Sequence, residues 1–145
     1  MRCRTMAAMM PLGMTDAAPT PLFTLDAMQF FGRVASDYES MFALRVHDLR
    51  GRRVLDCPSG PGSFVSEATQ AGVQVTGVDP LYAQPLEELV RRGTADVHHT
   101  IERMQASADR FGDIDLQAYA HSKLRALVRF AHDFERGKAE GRYVA

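Results

Sequence analysis

Apolar residues recur along this chain with two different periods, and the places where one gives way to the other mark out its elements. Between Leu25 and Leu44, the residues Met28, Phe31, Val34, Tyr38, Met41 and Phe42 come round every three or four positions, the spacing of one helix face. Gly32 interrupts this span, so it reads as one helix or as two short ones. Arg53-Val54-Leu55-Asp56-Cys57 is a short apolar run of the kind that forms a buried strand, entered from the turn Asp48-Leu49-Arg50-Gly51 and left into a loop rich in proline and glycine. Helical spacing resumes after Gly62, with Phe64, Val65, Ala68 and Ala71 on one side and Gly72 placed to end the helix. Val73 to Val78 follows as a second strand, which makes a strand, crossover helix and strand unit and predicts a parallel sheet.

Further on, Pro85 to Arg92 predicts a helix closed by Gly93. Thr94 to Arg110 and Asp113 to Arg136 carry no strand pattern and predict two more helices. In the second of these, Leu116, Ala120, Leu124, Leu127, Val128, Ala131 and Phe134 form an apolar stripe opposite Lys123, Arg125, Arg129 and Glu135, with Gly137 as the expected C-cap. The stripe is read as a core face rather than a membrane-surface face. Arg142-Tyr143-Val144-Ala145 again has strand character. Residues 1–22, broken by Pro11, Pro19 and Pro21, are expected to be a mobile arm, and residues 23–145 a single folded unit.

Composition narrows the class without choosing a function. With 145 residues, 46% hydrophobic and 24% charged, the chain suits one globular core. A formal net charge of -1 gives no general attraction to nucleic acid or to acidic membrane, so neither is an expected partner. Cys3 falls in the arm and Cys57 at a strand end expected to be buried and inert, so neither a disulfide framework nor a zinc-binding spacing is present, and a reducing cytoplasm is the expected location. Two arginines precede a short apolar run at the N-terminus, as in a signal peptide, but Pro11 and Gly13 break that run. The crowded methionines make Met14 a second candidate start. No apolar run is long enough to span a membrane. The adjacent His98 and His99 point in different directions on a helix and are read, like His121 and His132, as surface residues, so no metal is expected.

The chemistry is concentrated in Val54-Leu55-Asp56-Cys57-Pro58-Ser59-Gly60-Pro61-Gly62-Ser63-Phe64, a strand ending in an acid, a glycine-bearing turn and the start of a helix. Glycines in such a turn let backbone N–H groups approach a ligand closely, and the positive end of the following helix favours an anionic group there. A second acid, Asp79, ends the second strand. In a parallel unit both acids lie at the carboxyl edge of neighbouring strands, where ligands bind, and a carboxylate there can accept two hydrogen bonds from a ribose diol.

The apolar pair before Asp56, the spacing of Gly60, Gly62 and Phe64, and Asp79 at the second strand end together resemble the class I methyltransferases. The resemblance covers about residues 37 to 81. It implies an α/β chain with a partial Rossmann-like three-layer fold, few parallel strands (about residues 53–57, 73–78 and 142–145) and a large helical share. It also implies S-adenosylmethionine as cofactor, its methionine part held by Asp56 and the backbone around Ser59, Gly60 and Gly62, its ribose by Asp79, and its adenine against Pro80 and Leu81. Tyr38 is similar to an aromatic residue that lies over the cofactor. The methyl acceptor would be a small molecule, and no catalytic residue is implied. Pro58 departs from the pattern, many members having glycine there.

Residues 94–136 resemble a helical insert found in a subset of the family, and the chain is expected to stop before the fold and active site are complete. The strands that would flank the first one on its other side would be missing, leaving Val54 and Leu55 on an unpaired apolar edge open to self-association. Two alternatives stand beside the enzyme reading. One is a non-catalytic remnant or interaction module that keeps the loop. The other, less favoured, is a fragment of an NAD-binding oxidoreductase: that fingerprint needs a small residue where this chain has Val65, and an acid such as Asp56 would repel a pyrophosphate.

Overall fold

In the computed structural model of the protein, residues 28–145 are described, and three strands lie parallel in the order β1 (Arg53–Asp56), β2 (Gln74–Val78), β3 (Tyr143–Val144). Val54 stands opposite Val75 and Asp56 opposite Gly77, while Gly77 and Val78 pair on their other side with Tyr143 and Val144. The helix α2 (Phe64–Gln70) connects β1 to β2. A long helical return connects β2 to β3: α3 (Leu86–Gln105), the short α4 (Ala108–Phe111) and α5 (Leu116–Ala139). Before the sheet comes α1 (Ala35–Phe42), followed by a single 3-10 turn at Val46–Leu49.

Right-handed crossovers that step the same way across a sheet carry their helices on one face. Here α2 packs on β2, α5 on β3, and α2 on α5, all over that face. Alternation along the strands sends Val54, Val75 and Tyr143 into the core and Arg53, Leu55, Gln74 and Val144 to the other face. On that second face Leu55 is 68% exposed and Val144 43% exposed. The described residues therefore make two layers, where the family resemblance implies parts of three. The core is centred on an aromatic cluster of Tyr82, Phe130, Phe134 and Tyr143, whose ring centroids lie 4.9 to 5.8 Å apart, and it extends through Val65, Ala68, Val75, Leu89 and Leu127.

The strands and α2 fall within a residue or two of where the pattern puts them, but the helices differ in four ways. Residues 28–34 are not helical, and α1 begins only at Ala35, where the Asp37 carboxylate accepts the Val34 N–H at 3.2 Å. Within that segment the Phe30 N–H donates to Asp96 Oδ2 at 2.7 Å, a tertiary bond that takes the place of a helical one. Gly93 does not end a helix: α3 runs through it because Leu127 of α5 and the Phe30 carbonyl come within 3.1 and 3.3 Å of where its Cβ would be. Gly137 lies inside α5 for a similar reason, since a Cβ there would stand 2.4 Å from the Tyr143 ring, and the chain turns instead at Gly141, whose φ is +76°. The buried stripe of α5 is also rotated from the expected one. It includes Lys123, Phe130 and Asp133, while Val128 is exposed, because Lys123 Nζ reaches Asp37 Oδ2 on α1 at 3.0 Å.

The expected mobile arm, Cys3, the candidate start at Met14 and the first residues of the expected helix from Leu25 lie outside the described residues. No described helix is long and apolar enough to cross a membrane.

Candidate functional site

Asp56 ends β1 with both carboxylate oxygens occupied. Tyr38 Oη donates to Oδ1 at 2.9 Å and Ser59 Oγ to Oδ2 at 2.7 Å. Burial pushes the Asp56 carboxyl above the ordinary carboxylate range, against the pull of those two hydrogen bonds and of the Arg33 charge. Burial, reinforced by the neighbouring Asp56 charge and hydrogen bond, likewise raises the Tyr38 phenol, so Tyr38 stays a hydrogen-bond donor. The ring of Tyr38 stacks on Phe64, with centroids 4.1 Å apart and planes 14° from parallel. Tyr38 thus locks α1 to the start of α2 and to the end of β1.

Asp79 plays the corresponding part at the end of β2. Its Oδ2 accepts the Gly60 N–H at 3.0 Å, and its Oδ1 accepts the Leu81 N–H at 2.9 Å, capping the 3-10 turn Pro80–Ala83. Tyr82 Oη donates to the Gly60 carbonyl at 2.6 Å, and the Ser59 N–H donates to the Val78 carbonyl at 3.0 Å. The glycine turn is therefore tied to the β2 end by three hydrogen bonds and to the β1 end by the Ser59 hydroxyl on Asp56, with Gly60 at φ +58° and a cis peptide between Cys57 and Pro58. Cys57 itself is exposed, not buried as expected, because β1 ends one residue earlier and the chain has already turned away from the core.

Behind this turn lies the close contact that the dinucleotide fingerprint assigns to a third small residue in the helix. Val65 is fully buried, and the missing side chain is on the strand: a Cβ on Gly77 would come within 2.8 Å of Val65 Cγ2 and 2.7 Å of Ser59 Oγ. Helix α2 approaches β2 through a glycine in β2.

A cavity of about 350 Å³ opens at the carboxyl edge of β1 and β2. One wall consists of Pro58, Ser59, Gly60, Asp79, Pro80 and Leu81 from the two strand-end turns. The opposite wall consists of Met28, Gln29, Phe30, Phe31 and Arg33 from the segment before α1, together with Arg92 of α3. Of the residues singled out from sequence, Ser59, Gly60, Asp79, Pro80 and Leu81 meet at this cavity, while Asp56, Gly62 and Tyr38 do not line it. Gly62 is covered: a Cβ on Gly32 would stand 2.1 Å from the Gly62 N, and the Arg33 carbonyl accepts the Ser63 N–H at 3.0 Å. The glycine expected to admit a ligand admits the protein's own backbone, and the amide of Ser63, the residue just before α2, is already bonded.

The segment 28–33 is what sequence reasoning missed, because an apolar residue every third position reads as a helix whether or not the chain coils. Gly32, with no other role on a helix face, was the available signal. A larger groove of about 590 Å³ lies between α2 and α5, but its charged walls are paired among themselves, Arg129 with Glu67 at 2.9 Å and Arg136 with Asp133 at 3.0 Å. Among the described residues no group of three or more His, Cys, Asp or Glu is placed to hold a metal ion.

No family model, no curated protein and no solved structure matches this chain.

Proposed function

We propose that the chain holds the cofactor-binding part of an S-adenosylmethionine-dependent methyltransferase of class I, Rossmann-like type, acting in the cytoplasm on a small-molecule acceptor. The observation that carries this reading is Asp79 beside Gly60, Pro80 and Leu81 in one cavity at the carboxyl edge of two parallel strands. Each Asp79 oxygen accepts one backbone N–H and keeps a lone pair, as many as a vicinal ribose diol needs. Phe31, Pro80 and Leu81 offer apolar surface of the kind a purine packs against.

The cofactor would supply an electrophilic methyl group on a sulfonium. The residues of this chain would hold and orient it, which is where most of the rate enhancement of such a transfer originates. Asp56 takes a supporting part here, holding Ser59 and Tyr38 in place from outside the cavity.

Calorimetric titration with S-adenosylhomocysteine tests the reading, with an Asp79→Asn variant and NADH as the control ligand. Saturable binding weakened in the variant is the expected result. Binding of NADH alone would replace the methyltransferase reading with the dinucleotide one, and binding of neither would leave the cavity a by-product of the turn.

The uncovered sheet face favours a second reading alongside the first. With Leu55 and Val144 exposed beside Arg53 and Gln74, and β1 at a sheet edge, the chain presents an open edge and a partly apolar face suited to association with another copy, as an interaction module would.

A further inference from the structure

We propose that the outward side of α5 is a docking surface for a second copy of this chain, with α5 paired antiparallel to its counterpart. The rotation that buries Lys123, Phe130 and Asp133 leaves another set of positions turned away from the sheet. His121, Leu124, Val128, Ala131 and Glu135 follow one another at intervals of three, four, three and four, the repeat of a seam between paired helices. The middle three are apolar. Val128 is 55% exposed, and together with Leu124, Ala131 and Val90 of α3 it lines a groove of about 440 Å³. This surface is separate from the open sheet face, which α5 does not cover.

The charges at the two ends of the apolar strip decide its occupant. Arg125 and Glu135 are both exposed, and neither has a hydrogen-bond or ion-pair partner among the described residues. Other charges on α5 are paired within the chain, Arg129 with Glu67 and Arg136 with Asp133. The midpoint between Arg125 and Glu135 falls between Val128 and Ala131, at the centre of the strip. A second α5 running antiparallel about that point sets Val128 against the partner's Ala131 and brings Arg125 beside the partner's Glu135. The two-fold axis repeats both contacts, so the same patch serves on each copy. A parallel pairing would instead place like charges together at both ends, which repel. The strip is therefore complementary to itself, and in one orientation.

Sedimentation equilibrium of the full chain at low salt, where exposed charges are least screened, reads the assembly. Wild type is expected to dimerise, and Val128→Glu to be monomeric. Arg125→Glu and Glu135→Arg each turn two attractions into two repulsions and should weaken the dimer about ten-fold or more. Their circular dichroism should not change, since both side chains are exposed. Mixing the two single variants should restore association, because every charge then meets its opposite across the interface. Association that neither reversal weakens belongs to another surface, such as the sheet edge, and overturns the proposal. Failure of the mixture to reassociate overturns the antiparallel pairing. A monomeric wild type overturns the second copy as occupant, and a drop in Tm for Val128→Glu would then assign the face to another part of the same chain.

Discussion

Gly32 and Gly62 meet backbone to backbone, so closely that a Cβ on the first would stand 2.1 Å from the amide nitrogen of the second. Nothing flexible lies between them that could yield, and a side chain at either position must push the segment 28–34 off the glycine turn. Gly32→Ala is expected to lower stability by about 3 kcal/mol or more, at the upper end of overpacking effects. Gly51→Ala, at φ +73° with no atom within 4 Å of its Cβ, should lose only the ~1 kcal/mol of a left-handed residue. Urea midpoints of the two variants, compared with wild type, provide the check.

Gly77 and Val65 form a pair whose volumes must sum correctly. Gly77→Ala places a methyl 2.8 Å from Val65 Cγ2 and should destabilise by ~2 kcal/mol. Adding Val65→Ala should recover part of this, although Val65→Ala alone leaves a hole and is itself destabilising. A double-mutant cycle with a coupling energy near zero would mean that helix and strand do not touch there.

How far the sequence carries can be judged from such pairs. Turn chemistry and alternation suffice for β1, α2 and β2, and for Asp79 and Gly60 lying side by side, because strand-end turns are written in a few consecutive residues. Gly93 and Gly137 mislead because a glycine that ends a helix and a glycine that lets another element approach look identical along the chain. Lys123 misleads because its partner, Asp37, is distant in sequence, and only that pairing makes burial of the amine acceptable. The wall of the cavity at 28–33 is set by contacts with Gly62 and Asp96 that no local pattern records.

Asp133 and Asp56 should oppose each other in acid. Burial works against the Asp133 carboxylate, but hydrogen bonds from Arg142, Arg136 and Tyr143 outweigh it and hold the group below its ordinary value of 3.8. The stability it contributes is present above that value and lost as pH falls through its lower folded one. Asp56 is shifted the other way, so the folded chain takes up its proton first, and this group favours the fold increasingly as pH falls from its raised folded value towards 3.8. Asp56→Asn should therefore flatten the change in stability just above pH 3.8, and Asp133→Asn the loss below it, in urea titrations across the acid range.

Asp133→Ala also leaves Arg142 and Tyr143 Oη without their shared acceptor in a site where Arg142 is 11% exposed. A loss of about 3 kcal/mol is expected at neutral pH, and Asp133→Asn should retain part of it. Thermal unfolding of the two variants separates the charge from the hydrogen bond.

Leu55→Lys places a charge on the edge strand of the uncovered sheet face without touching the core. If copies associate through that face, sedimentation equilibrium should show wild type self-associating and the variant monomeric, with unchanged circular dichroism. A monomeric wild type sets the interaction-module reading aside.

The sheet order has a consequence for how the chain folds. Arg53 meets Gln74 across one short helix, whereas Gly77 meets Tyr143 at a chain separation roughly three times as long, which adds only ~1 kcal/mol of closure entropy. That small difference still sets an order. The β1–α2–β2 unit, which carries both acids, can form from local contacts. The third strand reaches β2 only through α3 and α5, with Asp133 holding Arg142 beside the last turn. The strand-end turns that line the cavity would then be in place before the aromatic core beneath them has closed.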